Sequence, residues 1–334
     1  MPEGLTLTLL AILGLAVLFD YINGFHDTAN AIATSVSTRA LRPEYAILLS
    51  AAANFIGALT GTAVAKTIAS GIVVAPEGHA GQVVVAGALV GAIVWNLVTW
   101  RLGIPSSSSH ALIGGLLGAV TVAVGFSAWQ VDGILTKVLL PLIGSPFVGL
   151  AVGYGLMVVL LNVFRRADPH TLNGTFRRLQ LLSASYMAFG HGSNDAQKTM
   201  GIITLALVAA GILPTPDVPI WVILIAASAI SLGTAAGGWR IIRTMGQRVV
   251  KLDPVHGFAA ETTAATVILT ASHFGIPVST THVISSAIMG VGSSDRFSAV
   301  RWGIAGNIVI AWVLTIPASA IVAAASYAVL RLIL

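Results

Sequence analysis

"GIPSSSSHALIGG" (residues 103–115) and "GIPVSTTHVISS" (275–286) decide how this chain is read. Each begins Gly-Ile-Pro and reaches a histidine five residues after its proline, with hydroxyl side chains between. The second copy lies 172 residues after the first. A different pair of stretches repeats at nearly the same interval. "NGFHDTANAIAT" (23–34) and "HGSNDAQKTMGI" (191–202) set Asp27 and Asp195 168 residues apart. Two unlike motifs recurring in the same order at almost one offset imply an internal duplication.

The surroundings of these motifs are apolar. Of 334 residues, 56% are hydrophobic and 9% charged; a soluble domain carries about 25% charged residues. The mean hydropathy is +0.91. This composition implies an all-α polytopic membrane protein, since lipid-facing helices carry no exposed charge. Apolar segments lie near 5–24, 44–65, 83–100, 111–125, 143–164, 179–211, 218–236, 257–274, 283–292 and 302–333. The longest polar break is 165–178, "RRADPHTLNGTFRR". The expected division is a first repeat over 1–164, a basic cytoplasmic linker over 165–178 and a second repeat over 179–334. Glycine pairs such as Gly57/Gly61, Gly114/Gly118, Gly149/Gly153 and Gly233/Gly237 read as close helix contacts. With no cysteine, disulfides, thiolate metal sites and cysteine nucleophiles are excluded. Glu3, the lack of Lys or Arg before the first apolar run, and the break at Asp20 argue against a signal peptide.

Each half crosses the membrane an odd number of times. The count is three with a re-entrant Pro-Ser hairpin and five without one, so the second half is inverted relative to the first. With hairpins and both termini outside, 12 of 17 basic residues fall in inner loops near 39–42, 165–178, 240–251 and 296–301. That bias fits the positive-inside rule and explains the net charge of +5 better than nucleic-acid binding. Arg101 and Lys198 stay inside apolar segments.

Four sets of residues carry chemistry. Asp27 and Asp195 sit mid-segment, where a carboxylate costs a few kcal/mol or more and reads as functional. Asp27, Asn30 and Thr34 share a helix face. Gly24, Gly190 and Gly192 are expected to let the helices break there, exposing carbonyls for a hard cation. Pro105 and Pro277 are expected to occupy the first position of a helix. Ser106, Ser107, Ser108 and Ser109 then face Ser279, Thr280 and Thr281 as two helix starts clamping a tetrahedral oxyanion. His110 and His282 read as packing or capping residues. Glu261, in "FAAETTAATVIL", is a candidate for a cation or proton path. Lys198 either neutralises Asp195 or meets the anion, and Arg101 either attracts an anion or snorkels to the surface.

"GFHDTANAIAT" and "GHGSNDAQKTMG", each followed by its Gly-Ile-Pro motif, resemble the inorganic phosphate transporter (PiT) family over nearly the whole chain. The resemblance implies two inverted repeats with broken helices and Ser/Thr-tipped hairpins. It further implies extracytoplasmic termini in a cell membrane and symport of inorganic phosphate with sodium ions or protons, without a cofactor. Phosphate is then assigned to Ser106 through Ser109, Ser279 through Thr281, Asn194 and Lys198, and sodium to Asp27, Asn30, Asn194 and Asp195. Glu261, His26, His191 and Arg101 are left for coupling or gating. The chain departs from the family pattern in reading His26 before Asp27, Lys198 opposite Asn30, and Asn54 where some relatives carry Glu. Proton coupling and a sulfate permease on the same scaffold remain open, as does a homo-oligomer. An intramembrane Ser/His hydrolase is disfavoured, because adjacent residues on a helix do not face each other, and accumulation against a phosphate gradient would exclude a channel.

Overall fold

The computed structural model describes residues 6–333. Glu3 and the first residue of the expected 5–24 segment therefore lie outside the described residues. Among the described residues the regular structure is helical, apart from one isolated bridge between Val73 and Trp129. In the first half α1 is Leu7–Ser37, α2 Pro43–Ala58, α3 Ala63–Ser70, α4 Gly78–Leu102 and α5 Ser108–Val124, and α6 is Val131–Val163. In the second half α7 is Pro169–Ala209, α8 Ile220–Ala236, α9 Trp239–Arg248, α10 Pro254–His273, α11 Thr280–Asp295 and α12 Trp302–Leu330. The halves run through the same succession of elements. Each has a long helix, a bent pair (70° between α2 and α3, 61° between α8 and α9), a helix leading into Gly-Ile-Pro, a short helix leading out, and a long closing helix.

Four helices (α1, α4, α6, α12) are long and apolar enough to span a bilayer, and the two bent pairs raise that to six. The helix α7 is 41 residues long but is interrupted by His191, Asn194, Asp195, Gln197 and Lys198, which lowers its apolarity. The expected linker is mostly helix. Asp168 caps α7 by accepting the Thr171 backbone N–H at 2.8 Å. That bond and the Thr171 hydroxyl hold the Asp168 carboxyl below its usual range. Residues 169–178 are thus the first turns of α7, whose early face is polar because it emerges from the bundle.

The Gly-Ile-Pro motif ends one helix and allows the next to begin. Gly103 and Gly275 adopt left-handed φ values of +67° and +66°, closing α4 and α10 where a β-carbon would be strained. Pro105 and Pro277 do not start the next helices, contrary to expectation. The N-caps are Ser107 and Ser279, whose hydroxyls accept the His110 and His282 backbone N–H groups, each at 3.2 Å. Because the cap must be a hydrogen-bond acceptor with extended backbone, the prolines fall two residues upstream, in the lead-in.

The expected breaks at Asp27 and Asp195 are absent: α1 and α7 run unbroken through both. The nearby glycines serve close packing instead. A β-carbon at Gly24 would strike the backbone of Ile230 and Gly233 on α8, and one at Gly192 the backbone of Asn54 on α2. The breaks lie between α2 and α3, between α8 and α9, and at the two Gly-Ile-Pro turns. Gly114 and Gly118 of α5 pack on the α12 backbone, and Gly149 and Gly153 of α6 on that of α11. The short outgoing helix of each half therefore lies against the closing helix of the other.

Two apolar cores flank a polar layer. The stretch Leu9–Ile22 of α1 supplies one core and Ala29–Ala33 the other. On α7, Met187 and Ala188 join the second core, while Ala196 and Met200 join the first. The polar residues of both long helices lie between.

Candidate functional site

Within that layer the two carboxylates approach each other. Ligand atoms of Asp27, His191 and Asp195 lie within 4.8 Å of one another, all buried. Two full charges at that separation repel by about 3 kcal/mol at an effective dielectric of 20, so the layer demands positive charge. Lys198 supplies part of it. Lys198 Nζ lies 2.5 Å from Asp195 Oδ1, and His191 Nε2 is 3.2 Å from Asp195 Oδ2. At Asp27, His26 Nδ1 lies 2.6 Å from Oδ1.

The tips of α5 and α11 close on these carboxylates in a matched way. Ser108 donates to Asp27 Oδ2 at 3.3 Å, and Thr280 donates to Asp195 Oδ2 at 3.1 Å. The next residues cross between halves. Asn30 Nδ2 donates to Thr280 and Thr281 hydroxyls at 3.2 and 2.9 Å; Lys198 Nζ donates to the Ser109 hydroxyl. The two tips also touch directly, Ser109 Oγ donating to Val278 O at 3.4 Å and Lys198 Nζ to the same carbonyl at 3.1 Å. One turn on, the His110 and His282 rings face each other at 4.9 Å, and His282 stacks on Trp312 at 4.0 Å. These ring contacts are the packing that one of the two expected roles implies. Ser106 through Ser109 and Ser279 through Thr281 are all at most 3% exposed.

Other assigned residues stand apart from this centre. Ser106 donates to Thr99 at 2.8 Å, and Thr99 in turn meets His26 Nε2 at 3.0 Å. Ser107 and Ser279 serve their own helices as caps. Asn194 points its amide at Ser272 Oγ, 2.7 Å away. Its Oδ1, like Asn30 Oδ1, is a buried acceptor without a partner, which suits an oxygen-seeking cation. Glu261 forms a separate buried group, accepting from Thr34 at 2.5 Å, Gln180 at 3.3 Å and Ser183. Arg101 is exposed at the end of α4, where it lines a cavity of about 460 Å³ together with Arg240, Arg243 and Arg248. It does not reach the polar layer, because α4 stops at Gly103 and carries its last turn to the surface. The Ser109–His110 pair does not form: Ser109 is engaged by Lys198 and Val278, and His110 Nδ1 has no partner. Ser106 Oγ lies 3.5 Å from His26 Nε2 but donates to Thr99 at 2.8 Å.

The chain also holds site-like residues that the motifs did not flag. Asp20, Asn23, Asn54, Asn96 and Thr199 are all fully buried. Asn54 bridges Thr234 (2.9 Å) and His191 (3.0 Å). A periodic reading would have found two of them. Positions 20, 23, 27, 30 and 34 alternate steps of three and four, a single stripe along α1.

The model of the phosphate transporter family matches residues 23–173 and 162–323 of the chain. A probable low-affinity inorganic phosphate transporter of Bacillus subtilis is 48% identical over 98% of both chains. One from Rhizobium meliloti is 50% identical over 96% of this chain and 95% of its own. Among solved structures, a sodium-dependent phosphate transporter superimposes with a TM-score of 0.83 at 27% identity, covering 98% of this chain and all of the other. With its spanning helices, the protein is a multi-pass membrane transporter and not an enzyme. The chain belongs to the phosphate transporter family.

Proposed function

We propose that the protein imports inorganic phosphate by symport with cations, sodium foremost, through alternating access in the cell membrane. One observation carries this reading. Two capped helix starts from different halves meet at a pair of buried carboxylates, and equivalent hydroxyls bind equivalent aspartates. Helix N-termini present free N–H groups and partial positive charge to an anion. Ser108, Ser109, Thr280, Thr281 and Lys198 supply the donors, with Ser106, Ser107, Ser279 and Asn194 supporting them. Asp27 and Asp195, with the free Oδ1 atoms of Asn30 and Asn194, supply oxygens for sodium. Sodium cancels the repulsion between carboxylate and phosphate, so the two fill together, and this couples them. Moving each positive charge inward across 100 mV supplies about 2.3 kcal/mol, so more than one cation per phosphate drives uptake of a negative substrate.

The repeated element order supports two inverted repeats, over 1–164 and 179–334, joined by 165–178. The Gly-Ile-Pro turns would be hairpin tips at mid-depth and both termini extracytoplasmic, as the arginine distribution suggests. In proteoliposomes, labelled phosphate uptake is expected to require an inward sodium gradient and to be lost in Asp27→Asn and Asp195→Asn. Normal uptake in both variants would remove the site assignment.

Proton coupling is the second reading, favoured by the imidazole beside each carboxylate: His26 at 2.6 Å and His191 at 3.2 Å. Uptake that ignores sodium and follows pH would establish it. Competition between sulfate and phosphate separates the two tetrahedral anions.

A further inference from the structure

The stripe along α1 extends beyond the centre just described. Asp20 lies seven residues before Asp27, on the same face, and is 0% exposed. Both its carboxylate oxygens lack a hydrogen-bond partner. Asn23, on that face as well, has neither its oxygen nor its nitrogen satisfied, and Thr199 Oγ1 of α7 is likewise unpaired. Asn23 and Thr199 both approach the Asp20 carboxylate, and Asp195 and Lys198 are the charged groups within its field. A buried carboxylate without a partner is among the costliest features a protein interior can hold. Here it lies among helices that an ordinary apolar residue would pack equally well.

We propose that Asp20, Asn23 and Thr199 form a cation-binding site, separate from the Asp27/Asp195 centre, that takes one sodium ion. The donor set is four oxygens: two from Asp20, one from Asn23 and one from Thr199. Sodium is a hard ion that seeks such ligands, and one ion satisfies all four at once. A proton on Asp20 supplies one donor, which pairs one of these oxygens at most, whereas an ion contacts all of them. Charge argues the same way. The layer holds three carboxylates (Asp20, Asp27, Asp195) and one ammonium (Lys198), leaving a deficit of positive charge before phosphate enters. Because Asp20 belongs to α1 and Thr199 to α7, an ion held between them joins the two halves. It lies beside Lys198, which touches the α5 tip.

This inference rests on the sodium-coupled reading above, and its test separates the two. Full-length protein in phosphatidylcholine nanodiscs, free of phosphate, is titrated with sodium chloride against choline chloride. Bound sodium is counted by equilibrium dialysis with ²²Na⁺, and the unfolding temperature is followed in parallel. Asp20→Asn is expected to lose about one bound sodium relative to wild type, and Thr199→Val to weaken the same ion by about tenfold, the worth of one ion–oxygen contact of about 1.4 kcal/mol. Without sodium, Asp20→Asn should unfold no lower than wild type, because the change removes an unpaired buried charge. With sodium, wild type should gain stability that the variant lacks. Retention of wild-type sodium binding by Asp20→Asn overturns the proposal even if Asp27→Asn and Asp195→Asn lose theirs. The reverse pattern supports it and removes the ion from the Asp27/Asp195 centre instead. An Asp20→Asn protein less stable than wild type in choline would make Asp20 a structural residue and overturn the site. Wild-type stability that follows pH and ignores sodium, with the response lost in Asp20→Asn, would mean that Asp20 holds a proton and would overturn the sodium assignment.

Discussion

The Asp27 and Asp195 clusters share one geometry and differ in chemistry. Ser108 and Thr280 occupy equivalent positions and bind equivalent carboxylates. Asn30 and Lys198 are also equivalent, and each reaches the opposite tip, at Thr281 and Ser109. One is a neutral amide and the other a full positive charge. Asp27 therefore has a histidine beside it and no fixed cation, whereas Asp195 has an ammonium at 2.5 Å. The lesson is that the duplication preserved where hydrogen bonds run while the charge was redistributed. In the proposed mechanism the first cluster recruits a mobile cation, and the second carries a tethered one.

The sharpest way to break this comparison is to neutralise each aspartate. Asp195→Asn leaves the Lys198 ammonium buried without its carboxylate, and breaking a buried pair in this way costs about 3–5 kcal/mol. Asp27→Asn leaves an imidazole and a hydroxyl without their acceptor, a loss of about 1–3 kcal/mol. Both should abolish sodium-driven phosphate uptake, but thermal unfolding in detergent should separate them, with Asp195→Asn clearly the less stable. Equal unfolding temperatures would mean that Lys198 is not the charge that distinguishes the halves.

Next comes Lys198→Asn, which makes the second cluster resemble the first. The Asp195 carboxylate then keeps only His191 and the Thr280 hydroxyl, so stability should fall by about 3 kcal/mol in choline and recover as sodium takes the ammonium's place. The sodium dependence of uptake should steepen, with a higher Hill coefficient. An unchanged coefficient would show that the ammonium does not stand in for a transported ion.

Much of this comparison was legible before any coordinates. The paired motifs disclosed the duplication because each demands unusual residues: glycine at a left-handed helix end, a hydroxyl at the cap, and a carboxylate in an apolar run. Those demands are local, so sequence carries them. The continuity of α1 and α7 was not legible. Gly24 and Gly192 are equally compatible with a break and with close packing, and the difference lies in α8 and α2, more than a hundred residues away. The helix start was missed by three residues because proline's tolerance of a helix start is weaker evidence than an acceptor at the cap. Asp20 was read as an interruption of an apolar segment. Only the three-four alternation of positions 20, 23, 27, 30 and 34 ties it to the site. Arg101 was left between attracting an anion and reaching the surface, because the end of α4 depends on Gly103, not on the apolar run before it.

The two glycines extend the comparison to packing. Gly24→Ala drives a methyl group into the α8 backbone, and Gly192→Ala drives one into α2. Neither obstacle is a flexible side chain, so each change should cost about 1–3 kcal/mol by overpacking, read as a lower unfolding temperature. Similar losses at both would extend the equivalence of the halves to the helix contacts behind the site. A loss at only one would confine it to the polar layer.

The smallest expected effect tests the tips themselves. Ser107 and Ser279 make the same bond, to the backbone N–H three residues on, at the same 3.2 Å. Replacing either by alanine removes one cap and should cost about 1 kcal/mol. If the two starts are independent caps, Ser107→Ala/Ser279→Ala should cost the sum of the single changes, as separated sites do. The tips meet, however, through Ser109 and Val278 and through the facing rings of His110 and His282. Loosening one cap tilts the helix that supports the other, so the double change should cost less than the sum, the second cap having already lost part of its geometry. The difference, measured as a double-mutant cycle on unfolding free energy, gives the coupling between the two halves at the point where the anion is proposed to bind. Strict additivity would mean that the tips are neighbours without being one unit.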